Sequence, residues 1–530
     1  MSEPHPVPGS QAPHEVTAAG LVRARLAAPE PFLPTVIPLS TRGESRRLVL
    51  LAYVVLIAMA VWIFGVGAAF ATIALVLNIT FLLYFVRHMS FAISAARWTD
   101  DDLAAADVDL RGYSPDVLVV VAAHNEAHVV DGLVMSLLGL RYPHSRLRVL
   151  VVDDASTDFT GARLDQWQRQ HPRLEVLHRA PGLGGGKSGA LNDGIAHAGE
   201  SAEIIVIFDA DHEPEPSALL RVVRHFRDPM VGAVMGRCVV RNAAETRISS
   251  TVFVDYLSGY LVNEYGRQAV YELPAYGGAN CAVRAAVLRH IGGFNLHSVT
   301  EDTDLTLRIV AGGGKVRYDP AAVDFEEAVR TARTYWKQRY RWARGHQRCA
   351  RDYWRPVVLA SGLRAPQKLE VLSFLFVYHT PVWVAAGIVL TLLRALGVGD
   401  EPPSLFLPLG MLLMVGPLSE LAVGLVTGHT ERSAAWRLLL FIPMFAMTVC
   451  VVTWAWIGGM LGLPYSWVKT TRSGAFSTIS DQQTQDGELP ERARLPETQA
   501  SEMIIRTGGR RRLVHGDSKT TPDDTAPSSS

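Results

Sequence analysis

Residues 203–213 read EIIVIFDADHE. An unbroken run of β-branched and aromatic residues closes on Asp209 and Asp211. A short apolar run without alternation, closed by a polar cluster, reads as a strand buried on both faces. Three further stretches have the same shape: VLVVVAAHNE at 117–126, RVLVVDDAS at 148–156 and LEVLHR at 174–179. Between them lie segments of helical periodicity, VVDGLVMSLLGL at 129–140, GARLDQWQRQ at 161–170 and SGALNDGIAHA at 188–198. Alternating strands and helices predict an α/β unit over 115–330 with a mainly parallel sheet. Ligands of such sheets lie beyond the carboxyl ends of the strands. Three of the four strands end there in polar or acidic clusters.

The flanking sequence is of another kind. Residues 48–86 carry no charge. That run is too long for one bilayer span of about 20 residues. A turn at Gly65-Val66-Gly67 predicts two membrane helices over 46–90; a hairpin buried in a soluble core is the other reading. Arg42, Arg46 and Arg47 flank one end, Arg87 and His88 the other. Two spans put both flanks on one side, and their positive charge makes it the cytoplasmic side of the cell membrane. Apolar runs return at 371–393, at 405–427, where Glu420 interrupts, and at 438–468. About three helices are expected over 370–468. The last run is long for one span and short for two, so a re-entrant piece near Pro443 or Gly458-Gly459 is an alternative. Three spans would place the C-terminal tail outside, whereas Lys469, Arg472 and Arg510-Arg511-Arg512 favour the inside. Residues 1–45 and 473–530 lack periodicity and are expected to be disordered tails.

Composition agrees with a soluble unit joined to membrane spans: 48% of residues are hydrophobic and 19% charged. The net charge is zero and points to no nucleic-acid partner. Cys238, Cys281, Cys349 and Cys450 form no C-x-x-C spacing, so neither a zinc site nor a disulfide framework is indicated. Free thiols fit a reducing compartment.

Five clusters carry candidate chemistry. Asp209 and Asp211, two residues apart past a strand end, suit one Mg²⁺ or Mn²⁺ ion and a diphosphate, because these hard ions take oxygen ligands. Asp153 and Asp154 follow a strand likewise. They fit a helix N-cap and also hydrogen bonding to a nucleobase or ribose. In TEDTD at 300–304, three acids open an apolar helix. Capping accounts for one or two, and one is a candidate general base. Lys187 in GLGGGKSG resembles a phosphate loop, but Pro181 stands where that motif needs glycine. Contact with a phosphate and a merely flexible glycine loop both fit. Gln338, Arg341 and Trp342, three and four apart, share one helix face. Arg341 suits a diphosphate and Trp342 offers a flat face to a sugar. An amphipathic interfacial helix over 331–365 fits the same residues.

Taken in order, AAHNE, VVDDASTD, KSGALNDG, FDADHEP, GGANCAVRAAVLRHIGGF, TEDTDLTLRI and QRYRW resemble the family-2 inverting glycosyltransferases. The likeness is greatest to membrane-integrated β-glycan synthases of the cellulose, chitin and hyaluronan type. It covers roughly residues 115–350 and the flanking helices. It implies a Rossmann-like GT-A domain and a UDP-sugar donor, with glucose or N-acetylglucosamine transferred. By the same analogy His124, Glu126, Asp153 and Asp154 line the nucleoside pocket. Lys187 lies near the nucleotide, and Asp209 and Asp211 hold diphosphate and metal. Asp302 is the general base and Glu301 lies on the acceptor side. Gln338 and Arg341 bind the diphosphate and Trp342 the acceptor end. One displacement at the anomeric carbon would turn an α-linked donor into a β-linked product.

There are departures. The tail after the membrane helices is short and lacks strand patterning, so the β-barrel regulatory domain of cyclic-dinucleotide-regulated cellulose synthases is expected to be absent. YSWVKTTRSG, with Trp467, Lys469 and Thr470, matches a gating loop only loosely. RWARGH also resembles relatives that glycosylate membrane lipids. Two products therefore stand: a β-linked polysaccharide, with room for an export partner protein, or a glycolipid such as β-glycosyl-diacylglycerol. The acceptor is a glycan in the first case and a lipid in the second.

Overall fold

A computed structural model of the chain describes residues 30–37, 47–97, 110, 112–275, 277–397, 415–430 and 432–463. The expected tails over 1–29 and 473–530, the YSWVKTTRSG segment and the first part of the 405–427 run lie outside the described residues.

Eight strands form one sheet in the order β3-β2-β1-β4-β7-β6-β8-β5. They are β1 (Val117–Ala123), β2 (Leu147–Asp153), β3 (Leu174–His178), β4 (Ile204–Asp209), β5 (Glu213–Pro214), β6 (Val231–Val240), β7 (Cys281–Arg284) and β8 (Lys315–Glu326). β1 pairs in parallel with β2 and β4, β2 with β3, and β6 with β8. β7 runs against both β4 and β6, and β5 against β8. The sheet is thus mainly parallel. The four strands expected from sequence form its first half, and helices Val130–Leu138, Thr160–Gln170 and Gly186–Ala198 connect them. Val119, Val120, Val121, Ile204 and Val206 are completely buried. Burial on both faces is why these strands read as unbroken apolar runs. Strand order reverses between β1 and β4, and their carboxyl ends open the crevice where such sheets bind ligands.

Helix Ala332–Leu359 carries the QRYRW segment. Thr331 caps it, its hydroxyl accepting from the Thr334 amide at 3.2 Å. Gly345 lies against Thr300; a Cβ there would stand 2.4 Å from Thr300 Cγ2. This close approach brings the helix onto the start of Glu301–Ala311, the helix of the TEDTD segment.

Among the described residues, three helical segments are long and apolar enough to cross a membrane: Ala71–Ala96, Ala365–Leu393 and Ala435–Leu461. Val415–Thr427 is apolar but shorter. The 48–86 run lies in one helical stretch, Arg47–Ala96, interrupted at Gly65, where φ is 82° and ψ 163°. The helix continues past the expected boundary at 90. Arg87 does not end it, because its guanidinium is buried against Glu370 at 2.9 Å and Asn263 at 3.0 Å. His88 meets Glu420 at 2.6 Å, and Glu420 also accepts from Asn263 at 2.6 Å. The charges read as an aqueous flank, and the acid read as an interruption, therefore belong to one polar junction between helices. The 438–468 run begins within a 3₁₀ segment, Arg432–Leu440, and continues as helix Phe441–Leu461. That helix passes unbroken through Pro443, in its first turn where proline is tolerated, and through Gly458-Gly459.

The N-terminal stretch is not disordered throughout. Residues 30–37 run extended over the α/β unit. The Phe32 amide donates to Pro229 O (3.1 Å) and the Thr35 amide to Gly312 O (2.9 Å), while His290 Nε2 meets Pro34 O at 3.0 Å. Proline-rich composition hid this strap, since Pro34, buried here, also counts toward a disorder signature.

Candidate active site

A cavity of about 820 Å³ opens at the carboxyl ends of β1 and β4 and reaches helix Ala332–Leu359 and the apolar segment Ala365–Leu393. It brings together His124, Glu126, Asp154, Lys187, Asp209, Asp211, Glu301, Asp302, Gln338, Arg341 and Trp342. Asp153, singled out in sequence with Asp154, is not brought to it. Its carboxylate is buried under the loop, accepting from the Ser156 amide (3.1 Å) and meeting His178 Nδ1 (2.8 Å). It is not a helix N-cap either, since the next helix starts only at Thr160 with Phe159 before it; Asp153 braces the loop between.

At one end Asn125, at φ 56°, turns the chain out of β1, and its side chain accepts from the Thr157 amide at 2.7 Å. That turn sets His124 Nδ1 2.7 Å from the Asp154 carbonyl. Asp154 is held by Arg179, which also donates to Asp193 (2.8 Å) and to Gly184 O (3.0 Å) of the glycine loop. Arg179 was missed in sequence because no motif surrounds it; it joins two segments that did have motifs.

At the centre, Lys187 Nζ lies 2.5 Å from Asp209 Oδ1, 3.2 Å from Glu301 Oε1 and 2.7 Å from Gly278 O. Burial alone would lower its pKa, but Asp209 and Glu301 outweigh that and raise it. Lys187 thus sits among acids rather than in a phosphate-binding loop of the kind its glycines suggested. Glu301, expected on the acceptor side, is one of its partners. The three acids of TEDTD separate. Asp304 is buried, holding Arg308 (2.7 Å), Asn295 (2.9 Å) and the Tyr353 hydroxyl (2.6 Å). Asp302 faces the cavity and accepts from the Thr303 amide at 2.7 Å. Burial, reinforced by the negative charge of Glu301, pushes its pKa up to about 7.

Asp209, Asp211 and His212 place ligand atoms within 4.8 Å of one another. The Lys187 ammonium on Asp209 shows that a cation is accommodated there. The His212 ring is spoken for: Nδ1 meets Asp324 at 2.5 Å and Nε2 meets Glu326 at 2.8 Å. Burial disfavours its charge, yet Asp324 and Glu326 hold its pKa well above the ordinary histidine value. The two aspartates are therefore the oxygen donors left to a divalent ion. His212 directly follows the D-x-D pair; its role was not legible, since its partners come from β8.

At the far end, Gln338 is buried with its Oε1 lacking a hydrogen-bond partner among the described residues. Trp342 lines the cavity, but one of its faces is covered by the Arg339 guanidinium, 4.5 Å from the ring centroid. Arg339 is fixed in turn by Asp255 at 2.5 Å. Tyr260, from the π-helix Leu257–Glu264, completes this end. π-Helical turns recur at functional sites.

The model of the family described as Glycosyl transferase family 2 matches residues 118–292. These residues are a family-2 glycosyltransferase domain. The chain is 35% identical over 313 residues to a β-monoglucosyldiacylglycerol synthase of Synechocystis, covering 58% of this chain and 61% of that one. It is 26% identical over 241 residues to a poly-β-1,6-N-acetyl-D-glucosamine synthase of Staphylococcus epidermidis, covering 44% and 56%. It thus spans less than two thirds of either relative. A mannosyltransferase of Pyrobaculum calidifontis, solved with GDP-mannose and Mn²⁺, superposes with a TM-score of 0.52 at 23% identity, covering 74% of this chain and all of that one. The family-2 domain has the GT-A fold that its motifs implied.

Proposed function

We propose that the chain is a membrane-bound inverting glycosyltransferase that moves a sugar from a UDP-sugar to a lipid hydroxyl. The observation that carries this reading is Asp302. It is a carboxyl held near neutrality in the same cavity as Asp209 and Asp211, and the apolar segment Ala365–Leu393 forms part of the wall. A base titrating near the working pH is suited to taking a proton. His124, Glu126 and Asp154 receive the nucleoside, and Gln338 and Arg341 the diphosphate. The acceptor oxygen forms a bond to the anomeric carbon as the bond from that carbon to the diphosphate oxygen breaks. The electron pair leaves with the nucleoside diphosphate, and the acceptor proton passes to Asp302. A single displacement inverts the anomeric centre. Lys187 balances Asp209 and Glu301. Asp209 and Asp211 would hold a divalent ion, Mg²⁺ or Mn²⁺, which would supply positive charge to the leaving diphosphate. The domain faces the cytoplasm, with paired spans before it and further spans after it.

The greater identity to the glycolipid synthase supports a lipid acceptor. The likeness to a poly-N-acetylglucosamine synthase supports a second reading, stepwise extension of a β-glycan and its passage to an export partner. Purified protein in lipid, given radiolabelled UDP-glucose or UDP-N-acetylglucosamine with Mn²⁺, separates the two. An organic-extractable product without polymer is expected, and high-molecular-weight product would sink the lipid reading. Asp302→Asn is expected to abolish transfer while donor binding by calorimetry survives. Loss of both would assign Asp302 to the nucleotide instead.

A further inference from the structure

His346 lies one turn beyond Trp342 on the same face of helix Ala332–Leu359 and lines the same cavity. Neither the D-x-D, TED nor QRYRW segments include it. Its ring is stacked flat on Tyr378, with centroids 4.4 Å apart and planes 9° from parallel. Phe374 meets it edge-on at 5.8 Å. Both aromatic residues belong to the membrane-length segment Ala365–Leu393. The neighbouring Gln347 amide donates to Tyr378 O (3.1 Å) and Val452 O (3.2 Å), which pins this stretch of helix against two apolar helices. The imidazole is therefore fixed in orientation.

Fixed as it is, His346 Nδ1 is buried and makes no hydrogen bond among the described residues. Buried polar atoms without partners are rare and costly, and each calls for a reason. Burial, with the positive charge of Arg267 behind it, lowers the pKa of the ring to about 4. The imidazole is neutral at physiological pH, with one nitrogen donating and the other accepting. A neutral, immobile, unsatisfied nitrogen beside the aromatic wall of Tyr378 and Phe374 suits an uncharged hydroxyl.

We propose that His346 is an acceptor-positioning residue: its Nδ1 pairs with a hydroxyl of an amphiphilic acceptor, whose apolar part lies along Tyr378 and Phe374. The acceptor class is an uncharged lipid with a free hydroxyl beside its acyl chains. The inference rests on the lipid reading of the proposed function.

The test uses the full chain in phosphatidylcholine vesicles containing dioleoylglycerol, with UDP-glucose and UDP-N-acetylglucosamine as donors and Mn²⁺ present. KM is measured separately for lipid and donor. His346→Phe keeps the stack and removes the nitrogen. It is expected to raise the lipid KM about tenfold or more, the worth of one hydrogen bond to a hydroxyl, with donor KM unchanged. His346→Asn, whose amide reaches the Nδ1 position, should restore most of the loss. His346→Gln, which reaches the Nε2 position, should not. An unchanged lipid KM in His346→Phe, a donor KM that rises in step, or equal behaviour of Asn and Gln overturns the inference. The Asn–Gln contrast decides the matter even where the Phe variant fails to fold. A wild-type protein that builds polymer and leaves dioleoylglycerol untouched overturns the lipid reading itself, and the inference with it.

Discussion

Asp209–Asp211 and Asp324–Glu326 are two pairs of acids with the same spacing, each at the end of a strand, and both lie beside His212. They differ in what meets their charge. The Asp209 side chain is 36% exposed and faces the cavity, where a lysine from another segment approaches it. The Asp324 side chain is 0% exposed and has its cation built in, the protonated ring of His212. An open pair is free to exchange its counter-charge for another. A closed pair is a structural ion cluster, costly to disturb because burial leaves any survivor uncompensated. Spacing alone does not separate the two cases, and neither does strand direction, since β4 and β8 run the same way; the burial of each pair does.

The contrast breaks most visibly at the open pair. Asp211→Ala is expected to cost on the order of 10³-fold in transfer and to remove Mn²⁺-dependent donor binding, with the melting temperature held or raised. Calorimetric titration with and without metal, beside a thermal melt, checks this; unchanged affinity with metal would count against the assignment. At the closed pair the outcome should invert. Asp324→Ala should lower stability by about 3–5 kcal/mol, since it strips the His212 cation of its nearest partner. Denaturant unfolding measures that loss, and a near-neutral change would mean the cluster is not ionised. The smallest effect sharpens the comparison through Asp302, which lines the cavity with the open pair. A base acts only when deprotonated, and the Asp302 pKa lies at about 7. The value of kcat/KM for the donor should therefore fall about tenfold between pH 8 and pH 6, with the bend near 7, in a pH–rate profile.

The first half of the sheet was legible because each of its strands is a self-contained apolar run with a polar stop. The second half was not. β8 reads KVRYDPAAVDFE, with charges and Pro320 inside it, and β7 is four residues within a stretch that looks helical. Both are held by neighbours distant in sequence, through register rather than local pattern. The site divides in the same way. Asp209, Asp211, Asp302, Gln338 and Arg341 stand out by spacing and do reach one cavity. Asp153 stood out equally and is a loop support. Arg179 gave no local signal, and FDADHEP and RWARGH contain His212 and His346 without showing what either does, because what defines each is a partner in another segment. Charged residues in the apolar runs misled for a similar reason. Arg87 and His88 counted as flanking charge, whereas Arg87 pairs with Glu370 and His88 meets Glu420 inside the helix junction.

The strap at residues 30–37 has a consequence for topology. It lies on the same α/β unit that the chain enters again at β1. Both ends of the segment between are moored to one body, and one body lies on one side of a bilayer. Crossings between residue 37 and residue 117 must therefore be even in number. A crossing by Ala71–Ala96 would therefore require a second crossing within the same interval. A parity rule, independent of any count of flanking charges, thus bears on how this enzyme is threaded.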